Sequence, residues 1–106
     1  MSSIELVEAE DAAISIRNGT TSIGLAARTD YYLQAEGVYA TEITNADQNY
    51  TQTTIIDFSG KPHTTQYLAE LLHTVPGNVY HRFDPDSPYD IIVVLGNDWA
   101  TDNNMP

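Results

Sequence analysis

The apolar run at residues 90–95, DIIVVL, constrains the fold of this chain more than any other segment. Its five consecutive aliphatic residues are mostly β-branched, which favours a strand. They do not alternate with polar residues, which is typical of a strand that is covered on both faces. The run is therefore predicted to be the central strand of a sheet, and the rest of the chain must supply its neighbours.

Apolar alternation and turn signals predict four more strands, and helical spacing predicts two helices among them. The strands are expected at residues 12–17, 38–44, 53–58 and 79–83, and the helices at residues 22–36 and 62–75. The order is β-α-β-β-α-β-β. It predicts an α/β two-layer sandwich, with a mixed sheet of about five strands and two helices on one face. The last strand is expected between the two β-α-β halves.

A chain of 106 residues suits one domain, which we place at residues 12–99. The acidic segment 1–11 is weakly patterned and is expected to be a linker or a lead-in, although its apolar residues could add an edge strand. Residues 100–106 are expected to be a tail. No apolar run approaches the length of about 18 residues that a membrane span needs, and the N-terminus lacks a signal-peptide pattern. Direct membrane insertion is therefore not expected.

The charge of the chain excludes several classes of partner. Fifteen acidic residues face only four basic ones, and the net charge is −11. Such a surface repels polyanions, so nucleic acid and anionic membrane surfaces are disfavoured partners. Because the chain contains no cysteine, it has no disulfide framework, thiolate metal site or cysteine nucleophile.

Residues 17–29, RNGTTSIGLAART, place two glycines between a predicted strand and a predicted helix. Gly19 and Gly24 have the spacing of the first half of a phosphate-binding P-loop, which then requires Lys and Ser or Thr. Leu25 and Ala26 follow instead, so the nucleotide interpretation fails. We expect Gly19 to supply a positive φ in the turn and Gly24 to let the helix pass close to the sheet, with Ser22 as the helix cap.

The start of the second predicted helix is a weaker candidate site. Lys61 and His63 flank Pro62 beside exposed backbone donors, where an anion could bind. A solvated turn is the preferred interpretation. The spacing of His63, His73 and His81 matches no local metal-ligand pattern. No catalytic, cofactor-binding or metal-binding residues are predicted.

Three segments, residues 14–29, 53–72 and 90–99, together resemble the C-terminal domain of the LytR–CpsA–Psr cell-wall proteins, the LytR C-terminal domain. The matching residues are Asn18, Gly19, Thr20, Gly24, Leu25, Ala26, Thr53, Thr54, Ile55, Val93, Val94, Leu95, Gly96, Asp98 and Trp99. The order and spacing of these short motifs carry the resemblance. Seven of these residues form the family signature, which we interpret as a mark of the fold: Asn18, Gly19, Thr20, Gly24, Gly96, Asp98 and Trp99.

The resemblance implies a bacterial accessory domain on the outer side of the cytoplasmic membrane. In that family a separate catalytic domain precedes it and transfers polymers from a lipid carrier onto peptidoglycan. The accessory domain brings no established catalytic residues. The resemblance therefore implies a location in the cell envelope and no reaction.

The favoured hypothesis is a non-catalytic envelope module that binds peptidoglycan, a wall glycan or a partner protein, or that orients a catalytic domain. Tyr50 and Tyr89 lie in predicted loops and are the candidate ligand contacts, with Lys61 and His63 as further candidates. One alternative is a small hydrolase that uses carboxylates and histidines, His63 or His81 among them. Another is a structural domain that oligomerises through an edge strand. The oligomeric state is not predicted.

Overall fold

The computed structural model describes residues 2–103 and residue 105. The strands are β1 (Ile14–Asn18), β2 (Glu42–Asn45), β3 (Thr54–Asp57), β4 (Val79–His81) and β5 (Ile91–Leu95). The helices are α1 (Ser3–Glu10), α2 (Leu25–Ala35), α3 (Pro62–Leu71) and α4 (Asn97–Thr101). The predicted β-α-β-β-α-β-β order is confirmed, and α1 and α4 extend it at either end.

The five strands form one mixed sheet with the order β2-β1-β5-β3-β4. Each β-α-β half is a parallel pair, β1 with β2 and β3 with β4. The last strand, β5, lies between the halves as predicted, parallel to β1 and antiparallel to β3. The strands of the two halves therefore run in opposite directions. The turns that follow β1 and β3 lie at opposite ends of the strands.

One face of the sheet carries the hydrophobic core. The strand register places Ile16, Val93 and Ile55 side by side on this face, and all three are fully buried. Each helix adds a buried side chain to the same cluster: Val7, Leu33, Leu68 and Trp99. Complete burial of side chains of this size contributes about 1.5–3 kcal/mol each, so this single cluster is the main source of stability.

The first helix replaces the edge strand that the N-terminal apolar residues suggested. Ser2 caps the helix by accepting the Glu5 N–H, and the Glu5 carboxylate accepts the Ser2 N–H in return. This capping box favours a helix over an extended chain. Val7 is 6% exposed, so the segment expected to be a linker or a lead-in packs on the core. Residue 1 lies outside the described residues.

The C-terminal helix, α4, continues to Thr101, past the domain end predicted at residue 99. Its Trp99 is 1% exposed and donates from Nε1 to the Thr29 hydroxyl at 2.9 Å. Met105 also packs against the core. Residues 104 and 106 of the predicted tail lie outside the described residues.

Candidate functional site

The two glycines of the turn after β1 have roles that differ from those predicted. A Cβ on Gly19 would lie 2.7 Å from a backbone oxygen of β5 and 3.0 Å from the Tyr50 ring, so this position requires glycine for close approach. Gly24 has φ +79° and nothing within 4 Å of a Cβ, so it supplies the left-handed conformation. The predicted Ser22 cap is also wrong, because Gly24 is the N-cap of α2.

Asn18 and Thr20 hold the turn together. The Asn18 Oδ1 accepts hydrogen bonds from the Thr20 N–H at 3.0 Å and from the Thr20 hydroxyl at 2.7 Å. The Asn18 Nδ2 donates to the Ser22 carbonyl at 2.9 Å. Asn18 is therefore bonded within the turn, which is the local Asx geometry that favours Asn at such positions.

The signature residues after β5 join α4 to the start of β3. A Cβ on Gly96 would lie 2.6 Å from the Thr53 nitrogen, so only glycine fits against that backbone. The Asp98 carboxylate accepts from the Thr53 N–H at 2.9 Å and from its hydroxyl at 2.8 Å. It also accepts from the Trp99 N–H at 2.7 Å. These contacts give Gly96, Asp98 and Trp99 structural roles.

A polar cleft of about 510 Å³ opens at the carboxyl ends of β1 and β2. Asn18, turn 20–24 and loop 45–49 line it, and we call it the amide cleft. The Ala46 N–H donates to the Asn18 carbonyl at 3.0 Å, and the Tyr50 N–H donates to the next carbonyl along the chain at 2.7 Å. Backbone hydrogen bonds therefore fix both ends of the loop to the turn.

The start of α3 contacts a carboxylate of the chain itself. Glu10, the last residue of α1, accepts from the His63 N–H at 3.0 Å and from the Thr64 N–H at 2.6 Å. The Thr64 hydroxyl donates to the same carboxylate at 2.6 Å. Lys61 donates from Nζ to the Glu10 carbonyl at 3.1 Å. Glu10 therefore occupies the place at Lys61 and His63 where an external anion was considered.

Hydrogen bonding outweighs burial in setting the ionisation of Glu10. Burial raises the pKa of this carboxyl, whereas the hydrogen bonds from Thr64 and His63 lower it, and the net pKa lies below the ordinary value. Charge-assisted bonds to backbone N–H groups favour the ionised form. The sequence contains no local signal for this contact, because Glu10 and Thr64 are far apart in the chain.

A second carboxylate, Asp57, fills the turn between β3 and α3. Asp57 is 3% exposed, and its Oδ1 accepts from the N–H groups of Ser59, Gly60 and Lys61 at 3.2, 3.0 and 3.3 Å. Its Oδ2 lies 3.5 Å from Nδ1 of His81, a histidine considered for hydrolysis. Among the described residues, no group of three or more histidines and carboxylates could hold a metal ion.

The face of the sheet opposite the core has no helix packed on it within the described chain. One row of side chains crosses all five strands there: Glu42, Ser15, Ile92, Ile56 and Tyr80. None of these side chains belongs to the core cluster. Ile92 and Ile56 are half-buried, and Tyr80 is 41% exposed. Ser15 and Val94 of this face are buried, at 0% and 4% exposure, so Ile92 and Ile56 form its partly exposed apolar centre. We call it the open face. The prediction that β5 is covered on both faces is corrected, because the helices of the described chain pack on the core face alone.

Both predicted contact tyrosines lie on this face, where they are half-buried instead of exposed. A Cβ on Gly19 would lie 3.0 Å from the Tyr50 ring and 3.1 Å from the Val94 side chain. The Tyr50 ring therefore lies on the same side of the sheet as Val94, a residue of the open face. The Tyr89 hydroxyl contacts the Glu42 carboxylate, which raises the pKa of Tyr89. Tyr80 was not singled out by the sequence, although strand alternation could have placed it here. We call Tyr50, Tyr80 and Tyr89 the tyrosine face.

Two of the four basic residues of the chain also lie on the open face. Arg17 follows Ser15 by two residues in β1, and its Nε donates to the Ser15 hydroxyl at 3.3 Å. The Arg82 guanidinium lies 5.7 Å from the centre of the Tyr80 ring, a cation–π arrangement. Because Glu42 interacts with Arg17 on the same face, the two guanidinium groups offset its acidic charge in a strongly acidic chain.

Comparison with solved structures supports the fold. The soluble domain of a conserved hypothetical secreted protein from Mycobacterium marinum matches with a TM-score of 0.57 and 17% sequence identity. The match covers 92% of this chain and 70% of that chain. At this identity the likeness concerns the fold alone. No curated protein sequence matches significantly. Within the described residues, no helix has the length and apolarity needed to cross a bilayer.

A family model covers all five strands together with α2 and α3. The model for the LytR C-terminal domain, described as LytR cell envelope-related transcriptional attenuator, matches residues 11–99. This range includes the turn after β1, the Thr53 contact and the strand that ends at Gly96. The chain therefore belongs to the LytR C-terminal domain family, a family of accessory domains in cell-envelope proteins.

Proposed function

We propose that this domain is a non-catalytic, extracytoplasmic module that binds the glycan strands of peptidoglycan through its tyrosine face. The observation that carries the proposal is the open sheet face, on which three tyrosines surround half-buried isoleucines. Family membership supports a place in the cell envelope, and the secreted fold neighbour supports an extracytoplasmic one.

The chemistry of the face fits a neutral glycan. Sugar rings present apolar C–H faces and polar edges, and tyrosine offers an apolar ring with a polar hydroxyl. Arg17 and Arg82 keep the local surface from being acidic, although the chain as a whole carries a net charge of −11. Long-range repulsion therefore disfavours anionic wall polymers, whereas a neutral strand is not repelled.

Co-sedimentation with isolated bacterial sacculi tests the proposal. The purified domain should pellet with sacculi both before and after anionic wall polymers are stripped from them. Tyr80→Ala should reduce the bound fraction, because Tyr80 is the most exposed of the three tyrosines. Tyr50→Ala should also reduce binding, provided that circular dichroism shows an unchanged fold.

Tyr31→Ala is the matched control, since Tyr31 is a 75% exposed tyrosine on α2, which packs on the core side of the sheet. It should pellet like the unchanged domain. Equal losses in Tyr31→Ala and Tyr80→Ala would contradict the role of the tyrosine face. Absence of pelleting with both preparations of sacculi would reject the proposal and favour a partner-protein or spacer role.

A further inference from the structure

We infer that the amide cleft is a second binding site that accepts a neutral, hydroxyl-rich saccharide unit. The inference rests on the proposed wall-binding function, but it concerns the carboxyl ends of β1 and β2 instead of the tyrosine face. The cleft lies where β1 and β2 end, and ligands of open α/β sheets commonly bind at the carboxyl ends of strands. Its volume falls within the range of about 300–1,000 Å³ that small-molecule sites occupy.

The free amides of the cleft supply its recognition chemistry. Asn45 at the end of β2 and Gln48 and Asn49 of the following loop are exposed, and their side chains make no hydrogen bond to the described part of the chain. Each primary amide offers two donors and one acceptor oxygen. Three such groups suit a ligand that carries several hydroxyl or acetamido groups, since each of those groups also donates and accepts.

The opposite wall of the cleft is already held in place. Asn18 and Thr20 bond to each other and to Ser22, so turn 20–24 keeps its shape without a ligand. The loop that carries the free amides is fixed through the Ala46 and Tyr50 N–H groups. A ligand would therefore order only the three amide side chains, which keeps the entropic cost of binding low.

The charge of the cleft favours a neutral ligand. Of the described residues that line it, Asp47 alone is charged. Arg28 reaches the rim, where its guanidinium donates to the Ser22 hydroxyl at 3.3 Å. Asp47 and the Arg28 guanidinium at the rim carry opposite charges, so the cleft has no net charge that would select an anion or a cation. A saccharide hydroxyl can donate to the Asp47 carboxylate.

Titration of the ¹⁵N-labelled domain with neutral N-acetylglucosamine tetramer tests the inference. Amide resonances of residues 18–24 and 45–49 should shift together, with a dissociation constant in the millimolar range or tighter. The double variant Asn45→Ala/Gln48→Ala should bind about fivefold to tenfold more weakly, the loss expected for one or two hydrogen bonds. Gln66→Ala, at an exposed amide of α3, is the matched control and should bind normally.

The outcomes separate this inference from the proposed function. Shifts confined to residues around Tyr80 and Tyr89, or no shifts at all, would overturn the cleft site even if sacculi still bind. An unchanged affinity in the double variant would also overturn it. Shifts at the cleft in a domain that does not pellet with sacculi would support the cleft site and reject the tyrosine-face proposal alone.

Discussion

The two strand-to-helix turns of this domain differ in the groups that lie at the start of the following helix. Each follows the first strand of a β-α-β half, and they lie at opposite ends of the strands. At the β3–α3 turn, the carboxylates of Asp57 and Glu10 accept hydrogen bonds from the backbone donors. At the β1–α2 turn, the helix begins at Gly24 without a side-chain cap and adjoins the amide cleft.

The difference separates a structural turn from a candidate binding turn. Backbone N–H groups at a helix start favour an anion, and at α3 the chain supplies that anion itself. At α2 the side chains of the turn bond to one another, and the amides of the adjoining loop make no hydrogen bond to the described part of the chain. We therefore expect substitutions at the β3–α3 turn to reduce stability, and substitutions at the amide cleft to reduce binding.

Removal of the buried Asp57 carboxylate at the β3–α3 turn should have the largest effect on stability. Asp57→Ala is expected to lower the free energy of unfolding by about 3 kcal/mol, because three backbone N–H groups lose their acceptor. Urea denaturation followed by circular dichroism measures the loss. Asp57→Asn keeps an acceptor oxygen and should lose less. Equal losses in the two variants would contradict hydrogen bonding as the cause.

The matching change at the other turn should cost less. Asn18→Ala is expected to lower the free energy of unfolding by about 1.5 kcal/mol, since it removes neutral hydrogen bonds at a half-buried position. The same urea experiment applies. Asn18→Asp retains the acceptor for Thr20 and should be intermediate. A loss as large as that of Asp57→Ala would remove the contrast between the two turns.

The contribution of Glu10 should depend on pH. Glu10→Gln is expected to cost about 1 kcal/mol at neutral pH, the range of a helix cap. Because the folded-state pKa is lowered, the stabilisation is present above the ordinary glutamate pKa and is lost as the pH falls through the folded value.

Urea midpoints of the unchanged domain and of Glu10→Gln, measured at neutral pH and near pH 3, test this dependence. The difference between the two proteins should shrink in acid. The difference cancels the titration of the other carboxylates, which both proteins share. A difference that stays constant with pH would show that the charge of Glu10 does not contribute.

The free amides should have the smallest effect on stability. Asn45→Ala/Gln48→Ala is expected to change the free energy of unfolding by less than about 0.5 kcal/mol, because both side chains are exposed and lack partners in the described chain. The same double variant is expected to weaken saccharide binding. A clear loss of stability would indicate that the loop amides are structural, as Asn18 is.

Much of the architecture could be predicted from local patterns. The apolar run at residues 90–95 indicated a central strand, and the strand-helix order indicated two parallel pairs on either side of it. The first helix was missed because its capping box, Ser2 to Glu5, lies in an acidic segment that resembles a linker. The roles of Gly19 and Gly24 were exchanged because a sequence does not report which backbone passes nearby.

The sequence by itself determined the order of the five strands and the two helices between them, the family and the acidic composition, because periodicity, short motifs and residue counts can be read without the fold. Only the tertiary structure decided that Glu10 fills the start of α3, that Tyr50, Tyr80 and Tyr89 share one face, and that three free amides line a cleft. These arrangements join residues from distant parts of the chain. They depend on strand order and register, which packing of the whole sheet selects.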